Sequence, residues 1–203
     1  MKKTLLVCSD IFGTYSALST RKQIEMLKNI DDMKKKLELN QVVFCFVSTA
    51  SCKEIEEVVN NSLLPVLEET KLEIEVGPYI GIDGYSYNGS KPRLFVKDIA
   101  KGVQMANLVD LFGTIIPQSE VSHFIYIDDH PNINPILFLT HIKNDKNELK
   151  EVFFLVKKDE FNGFIKTNNY SFNIKTIEKR EEDFLLEGLI EINNTINDRK
   201  KTR

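Results

Sequence analysis

The chain has 203 residues, 42% of them hydrophobic and 28% charged, which is enough to bury a substantial core in one domain. Its net charge of −3, from 27 basic and 30 acidic residues, argues against a nucleic-acid-binding surface, and no stretch approaches the ~20 apolar residues of a membrane span. Three cysteines, an odd number with Cys8 and Cys45 in apolar runs, fit a reduced, cytoplasmic protein better than a disulfide framework.

Met1-Lys2-Lys3 followed by Thr4 to Cys8 has the opening of a signal peptide, but Ser9-Asp10 ends the apolar run far too early. Leu5 to Cys8 therefore reads as a first strand buried on both faces. Ser19 is placed to cap a helix running to about Leu39, with Ile24, Leu27, Ile30, Met33 and Leu37 on one side. Val42 to Val47 is a second apolar strand, and Ser51 with Glu54 three residues on forms a capping box for a helix through Glu68.

The alternation Leu72 to Val76 predicts an edge strand, followed by a turn-rich loop from Gly77 to Pro92 and a helix over Val96 to Phe112. Phe124 to Ile127 and Val152 to Val156 are the third and fourth buried strands. Residues 157–175 are polar and uneven, Glu181 to Ile196 is an amphipathic helix, and 198–203 reads as a disordered basic tail. Strands alternating with helices predict an α/β fold: a Rossmann-like open, mainly parallel sheet with helices on both faces. The expectation is one domain over 1–203, with 136–203 completing the sheet and its flank.

Three of these strands end in polar residues of complementary kinds: Asp10 after the first, Ser48-Thr49 after the second, Asp128-Asp129 after the third. In a parallel sheet such ends share one rim. A carboxylate nucleophile, a hydroxyl for phosphoryl oxygens and an acidic pair able to hold Mg²⁺ are the requirements of metal-assisted phosphoryl transfer. Lys101 supplies a cation to balance phosphate charge, with Lys97 and Lys91 as rivals.

With these residues in this order, the chain resembles the haloacid dehalogenase-like (HAD) superfamily over roughly residues 4–135. Asp10-Ile11-Phe12-Gly13-Thr14 is similar to motif I, Val43 to Thr49 to motif II, Lys101-Gly102-Val103 to motif III and Ile127-Asp128-Asp129 to motif IV. The resemblance implies that Asp10 is the nucleophile and that Ser48 or Thr49 bonds the phosphoryl oxygens. It also implies that Lys101 pairs with nucleophile and phosphate. Mg²⁺ would be held by Asp10, Asp128, Asp129 and the backbone carbonyl of Phe12.

One residue departs from the pattern. The family's phosphatases carry a second Asp where this chain has Phe12, and that Asp protonates the leaving group and then activates water, a step worth about 10²–10⁴-fold. The resemblance therefore leaves three readings open. One is a slow or specialised Mg²⁺-dependent phosphohydrolase or phosphotransferase acting on a phosphorylated small molecule or macromolecule. The second is a catalytically degenerate binding or regulatory protein, and the third a dehalogenase, whose family members carry a Tyr at that position but need no Mg²⁺.

Of the three histidines only His130, beside the acidic pair, is placed to shuttle a proton. Tyr79, Tyr85 and Tyr87 could line a pocket, and the fifty or so residues between motifs II and III leave room for a small cap or none. Sequence leaves the oligomeric state open.

Overall fold

The apolar runs lie side by side in one parallel sheet. The structure, a computed structural model, describes residues 3–86, 93–94, 121–129, 150–157, 173–179 and 184–201. In chain order the described elements are β1 (Thr4–Ser9), α1 (Thr20–Leu37), β2 (Gln41–Phe46), α2 (Cys52–Val58), α3 (Leu64–Thr70), β3 (Glu75–Val76), β4 (Tyr79–Ile80), β5 (Gly84–Ser86), β6 (Arg93–Leu94), β7 (Val121–Asp128), β8 (Glu151–Lys157), β9 (Asn173–Lys179) and α4 (Phe184–Lys201).

The main sheet runs β3-β2-β1-β7-β8-β9, and every neighbouring pair in it is parallel. The chain builds outward from β1 to β3, then returns to the centre and builds outward again from β7 to β9. The order therefore reverses between β1 and β7, where ligands bind in open α/β sheets. Register fixes the centre: Val7 lies opposite Phe44 on one side and Ile125 on the other.

Alternate residues of these strands face opposite sides, and both sides are buried, which is why the sequence shows continuous apolar runs rather than alternation. Leu5 and Val7, Phe44 and Phe46, Ile125 and Ile127 share one core with Met26, Leu27 and Ile30 of α1, Ile55 of α2, Leu67 of α3 and Leu189 and Ile192 of α4. Leu6, Cys8, Val43, Cys45, Phe124 and Tyr126 on the opposite side are equally buried. The helix expected over Val96 to Phe112 lies outside the described residues.

The helix signals act as expected at their starts. Ser19 accepts a hydrogen bond from the Lys22 amide at 3.4 Å, and Ser51 and Glu54 form the reciprocal capping box. Beyond α2 the helical path continues through a wide turn, Val59–Leu63, into α3. Pro65 explains it: a proline has no amide hydrogen to give the preceding turn and its ring crowds that turn's carbonyl, so the backbone widens just before it. The path ends at Lys71, which adopts a left-handed conformation (φ 53).

Several expectations need revision. The turn-rich segment after Val76 contains a small antiparallel sheet, β4-β5-β6, whose strands of two or three residues are too short to show a period. β9 begins in the stretch 157–175 that reads as uneven and runs beyond it through residues to which no element is assigned, forming the sheet edge opposite β3. The last helix starts at Phe184 rather than Glu181 and reaches Lys201, so residues 198–201 of the expected disordered tail are helical. A run of basic residues is what a helix carboxyl end favours.

No described helix is long and apolar enough to cross a membrane. All three cysteines are buried and free. Burial pushes the Cys52 thiol up to about 12, and burial together with the neighbouring Cys8 raises that of Cys45.

At the sheet end remote from Asp10, His123 is buried, its Nδ1 2.9 Å from the Ser122 hydroxyl and its Nε2 3.8 Å from Glu151. Burial, reinforced by the charges of Lys150 and Lys3, pushes its pKa down to about 4, so it is neutral at pH 7. An unfolded chain takes up this proton near pH 6.5 while the folded one resists until about 4. The stability it contributes is therefore whole above pH 6.5 and falls between 6.5 and 4, by about 1.4 kcal/mol per pH unit at most. Urea unfolding at pH 7 and pH 4.5 should show the wild type losing more stability than His123→Gln, and equal losses would contradict a buried neutral histidine.

Candidate metal centre at the strand ends

The reversal point of the sheet is where acidic side chains collect. Asp10 leaves the end of β1, and its amide donates to the Ile127 carbonyl at 2.9 Å. Because Ser9 lies opposite Ile127 in register, Asp10 comes level with Asp128, the last residue of β7. Asp10, Asp128 and Asp129 are all buried, and each offers an oxygen such that these atoms lie within 4.8 Å of one another.

The turn after β1 is built to hold this arrangement. The Asp10 carbonyl accepts hydrogen bonds from the Thr14 hydroxyl and from the Ser9 hydroxyl at 2.7 Å. The Ser16 amide closes a wide turn onto the Ile11 carbonyl at 2.9 Å. Tyr15 anchors the turn from below, its ring 5.2 Å from Phe46 and 6.0 Å from Phe44. Ile11, Thr14 and Tyr15 point inward, and Phe12 is 51% exposed.

Gly13 has a left-handed conformation (φ 74), and its backbone presses against the acidic cluster. A Cβ there would stand 1.8 Å from Asp129 Oδ2 and 2.5 Å from Asp129 Cγ. Only glycine satisfies both demands. The absence of a side chain at position 13 is what lets the Asp129 carboxylate occupy its place.

Asp128 is held from the strand side, since the Tyr126 hydroxyl donates to its Oδ2. Burial first, and then the charge of Asp128, raises the Tyr126 pKa well above its ordinary value, so the tyrosine remains a donor. Three carboxylates ionised together this close in a buried place would repel one another strongly. A bound divalent cation would turn that repulsion into attraction, and an all-oxygen carboxylate set suits a hard ion.

Ser48 and Thr49 follow β2, on the other side of β1. Ser48 is fully buried: its amide donates to the Ile80 carbonyl at 3.0 Å, and its hydroxyl accepts from the Ala50 amide at 3.2 Å. Thr49 is exposed. The small sheet clamps this loop. Val47 bridges Ile80, the Ile82 amide donates to the Ala50 carbonyl at 2.8 Å, and Asp83 accepts from the Cys52 amide at 2.7 Å.

Gly81 passes so close to this loop that a Cβ would stand 2.6 Å from the Ala50 carbonyl oxygen. Asp83 and Gly81 have no motif in the sequence to mark them; an Asp-Gly turn is all that signals them. Tyr79 is buried in β4, and Tyr85 is partly buried in β5.

The structure thus brings Asp10, Asp128 and Asp129 together and places Ser48 on the adjoining strand end. Lys101, with its rivals Lys97 and Lys91, and also His130 and Tyr87, lie outside the described residues. No protein-family model matches the chain, and no curated protein matches it closely enough to count as a relative.

Proposed function

We propose that this chain is a HAD-like, Mg²⁺-dependent phosphohydrolase or phosphotransferase acting through Asp10, slow or specialised because Phe12 stands where the family's phosphatases carry their acid/base. The observation that carries the reading is the buried triad Asp10, Asp128 and Asp129, its oxygens within 4.8 Å, at the point where the strand order reverses. A metal-free dehalogenase has no use for such a triad.

In this reading Asp10, Asp128, Asp129 and the backbone carbonyl of Phe12 would hold Mg²⁺, which when bound would neutralise charge on the phosphoryl group. A carboxylate oxygen of Asp10 attacks phosphorus as the bond to the leaving oxygen breaks, and the resulting aspartyl phosphate passes its phosphoryl group to water or an acceptor hydroxyl, which frees Asp10. Ser48, whose oxygen accepts from the Ala50 amide, donates its hydroxyl hydrogen to a phosphoryl oxygen, and Lys101 balances the added charge. Phe12 cannot protonate the leaving oxygen, so only a leaving group stable as an anion departs readily.

The second reading, a HAD-fold binding protein without turnover, rests on that same Phe12. One experiment separates them. Wild type hydrolysing an aryl phosphate with Mg²⁺, reduced to background by Asp10→Asn, supports the enzyme. No turnover by wild type, with Phe12→Asp creating it, supports the binding protein. No turnover by either, with a correctly folded Phe12→Asp, removes Asp10 from any phosphoryl-transfer role.

A further inference from the structure

The side chain of Phe12 is given no work by the proposed chemistry. Its backbone (φ −76, ψ 135) is extended, a conformation that any residue can adopt, so the turn does not require a phenylalanine there. Its side chain is 51% exposed and lies outside the hydrophobic core that the described residues form. Singly exposed apolar residues are ordinary on protein surfaces, but this one has a particular address.

The turn Ile11–Tyr15 buries three of its five residues and presents Phe12 and Gly13 outward. The Gly13 end of that rim abuts the Asp129 carboxylate. Phe12 is two residues from Asp10, which limits the separation of their Cα atoms to about 7 Å. An exposed aromatic side chain therefore leaves the same turn, one residue before the glycine that abuts the acidic cluster.

We propose that Phe12 is a specificity-determining residue that stacks on an aromatic ring carried directly by the phosphate of the ligand, making aryl phosphates the preferred substrate class. The inference rests on the phosphate-site reading above and adds two arguments to it. The short reach from Phe12 to Asp10 suits a ring bonded next to the phosphate rather than one at the end of a long linker. An aryl oxygen is also the leaving group that least needs the acid absent from position 12, so one substitution serves both binding and chemistry.

The test is calorimetric binding of phenylphosphonate and methylphosphonate to the full chain with Mg²⁺ present. Wild type should bind the phenyl compound more tightly. Phe12→Ala should weaken phenylphosphonate by about five- to tenfold, the worth of a ring contact, with less than twofold change for methylphosphonate, and Phe12→Tyr should restore the preference. The melting temperature of Phe12→Ala should match wild type, as expected for an exposed side chain.

Equal binding of the two phosphonates by wild type, or equal weakening of both by Phe12→Ala, would overturn the aryl specificity and leave the phosphate site standing. Binding of neither by wild type would overturn the phosphate site, and the specificity with it.

Discussion

Millimolar Mg²⁺ is expected to raise the melting temperature of the wild-type protein by about 5–10 °C at a hundredfold excess over its dissociation constant, from about 2.7 kcal/mol of linkage in a chain of this length. Asp129→Asn, which has lost a ligand, should show a smaller rise on metal addition than wild type. A wild-type melting temperature insensitive to Mg²⁺, Mn²⁺ and Ca²⁺ would end the metal reading, and an equal rise in the variant would remove Asp129 from the metal site.

Gly13→Ala is the second large effect. The new methyl group would lie 1.8 Å from Asp129 Oδ2, far inside contact, and the φ of 74 is itself unfavourable for alanine. The Asp129 carboxylate must move or the turn must open. The expected loss is about 2–4 kcal/mol of stability together with the whole of the Mg²⁺ response.

The double variant Gly13→Ala with Asp129→Ala removes the collision. It should recover part of the stability without recovering the metal response, giving a coupling of 0.5–3 kcal/mol in sign-reversed form, about the range for residues in contact. Additive losses in urea unfolding would mean that glycine is kept at position 13 for its backbone alone.

Much of this architecture was legible because it is buried on both faces. Leu5 to Cys8, Val42 to Val47, Phe124 to Ile127 and Val152 to Val156 stand out as apolar runs because neither face of a central parallel strand meets water, and their polar successors Asp10, Ser48 and Asp128-Asp129 stand out by contrast. The edge strand β9 does not announce itself in that way. In β9, Ile174 and Ile177 are three apart and the other residues are polar, so no period of two is visible, and pairing with β8 supplies what the pattern does not.

The small sheet β4-β5-β6 was hidden for another reason: its order comes from docking on the 48–52 loop, a tertiary effect that no window of sequence contains. The same holds for Gly13 and Asp129. Sequence suggests that both belong to motifs, but their contact appears only when β1 and β7 lie side by side. The helix expected from Ser51 through Glu68 takes no account of Pro65, and the wide turn before it is how the backbone accommodates that residue.

The place where β1 meets β7 also has a meaning for how the chain reaches its native state. Asp10 and the Asp128-Asp129 pair come from opposite halves of the sequence and become neighbours only when the two halves of the sheet have joined. Neither half alone, nor a partly collapsed chain, presents the triad. An ion held there would thus recognise completed assembly, and where the triad forms after the folding barrier it would act chiefly as a brake on unfolding.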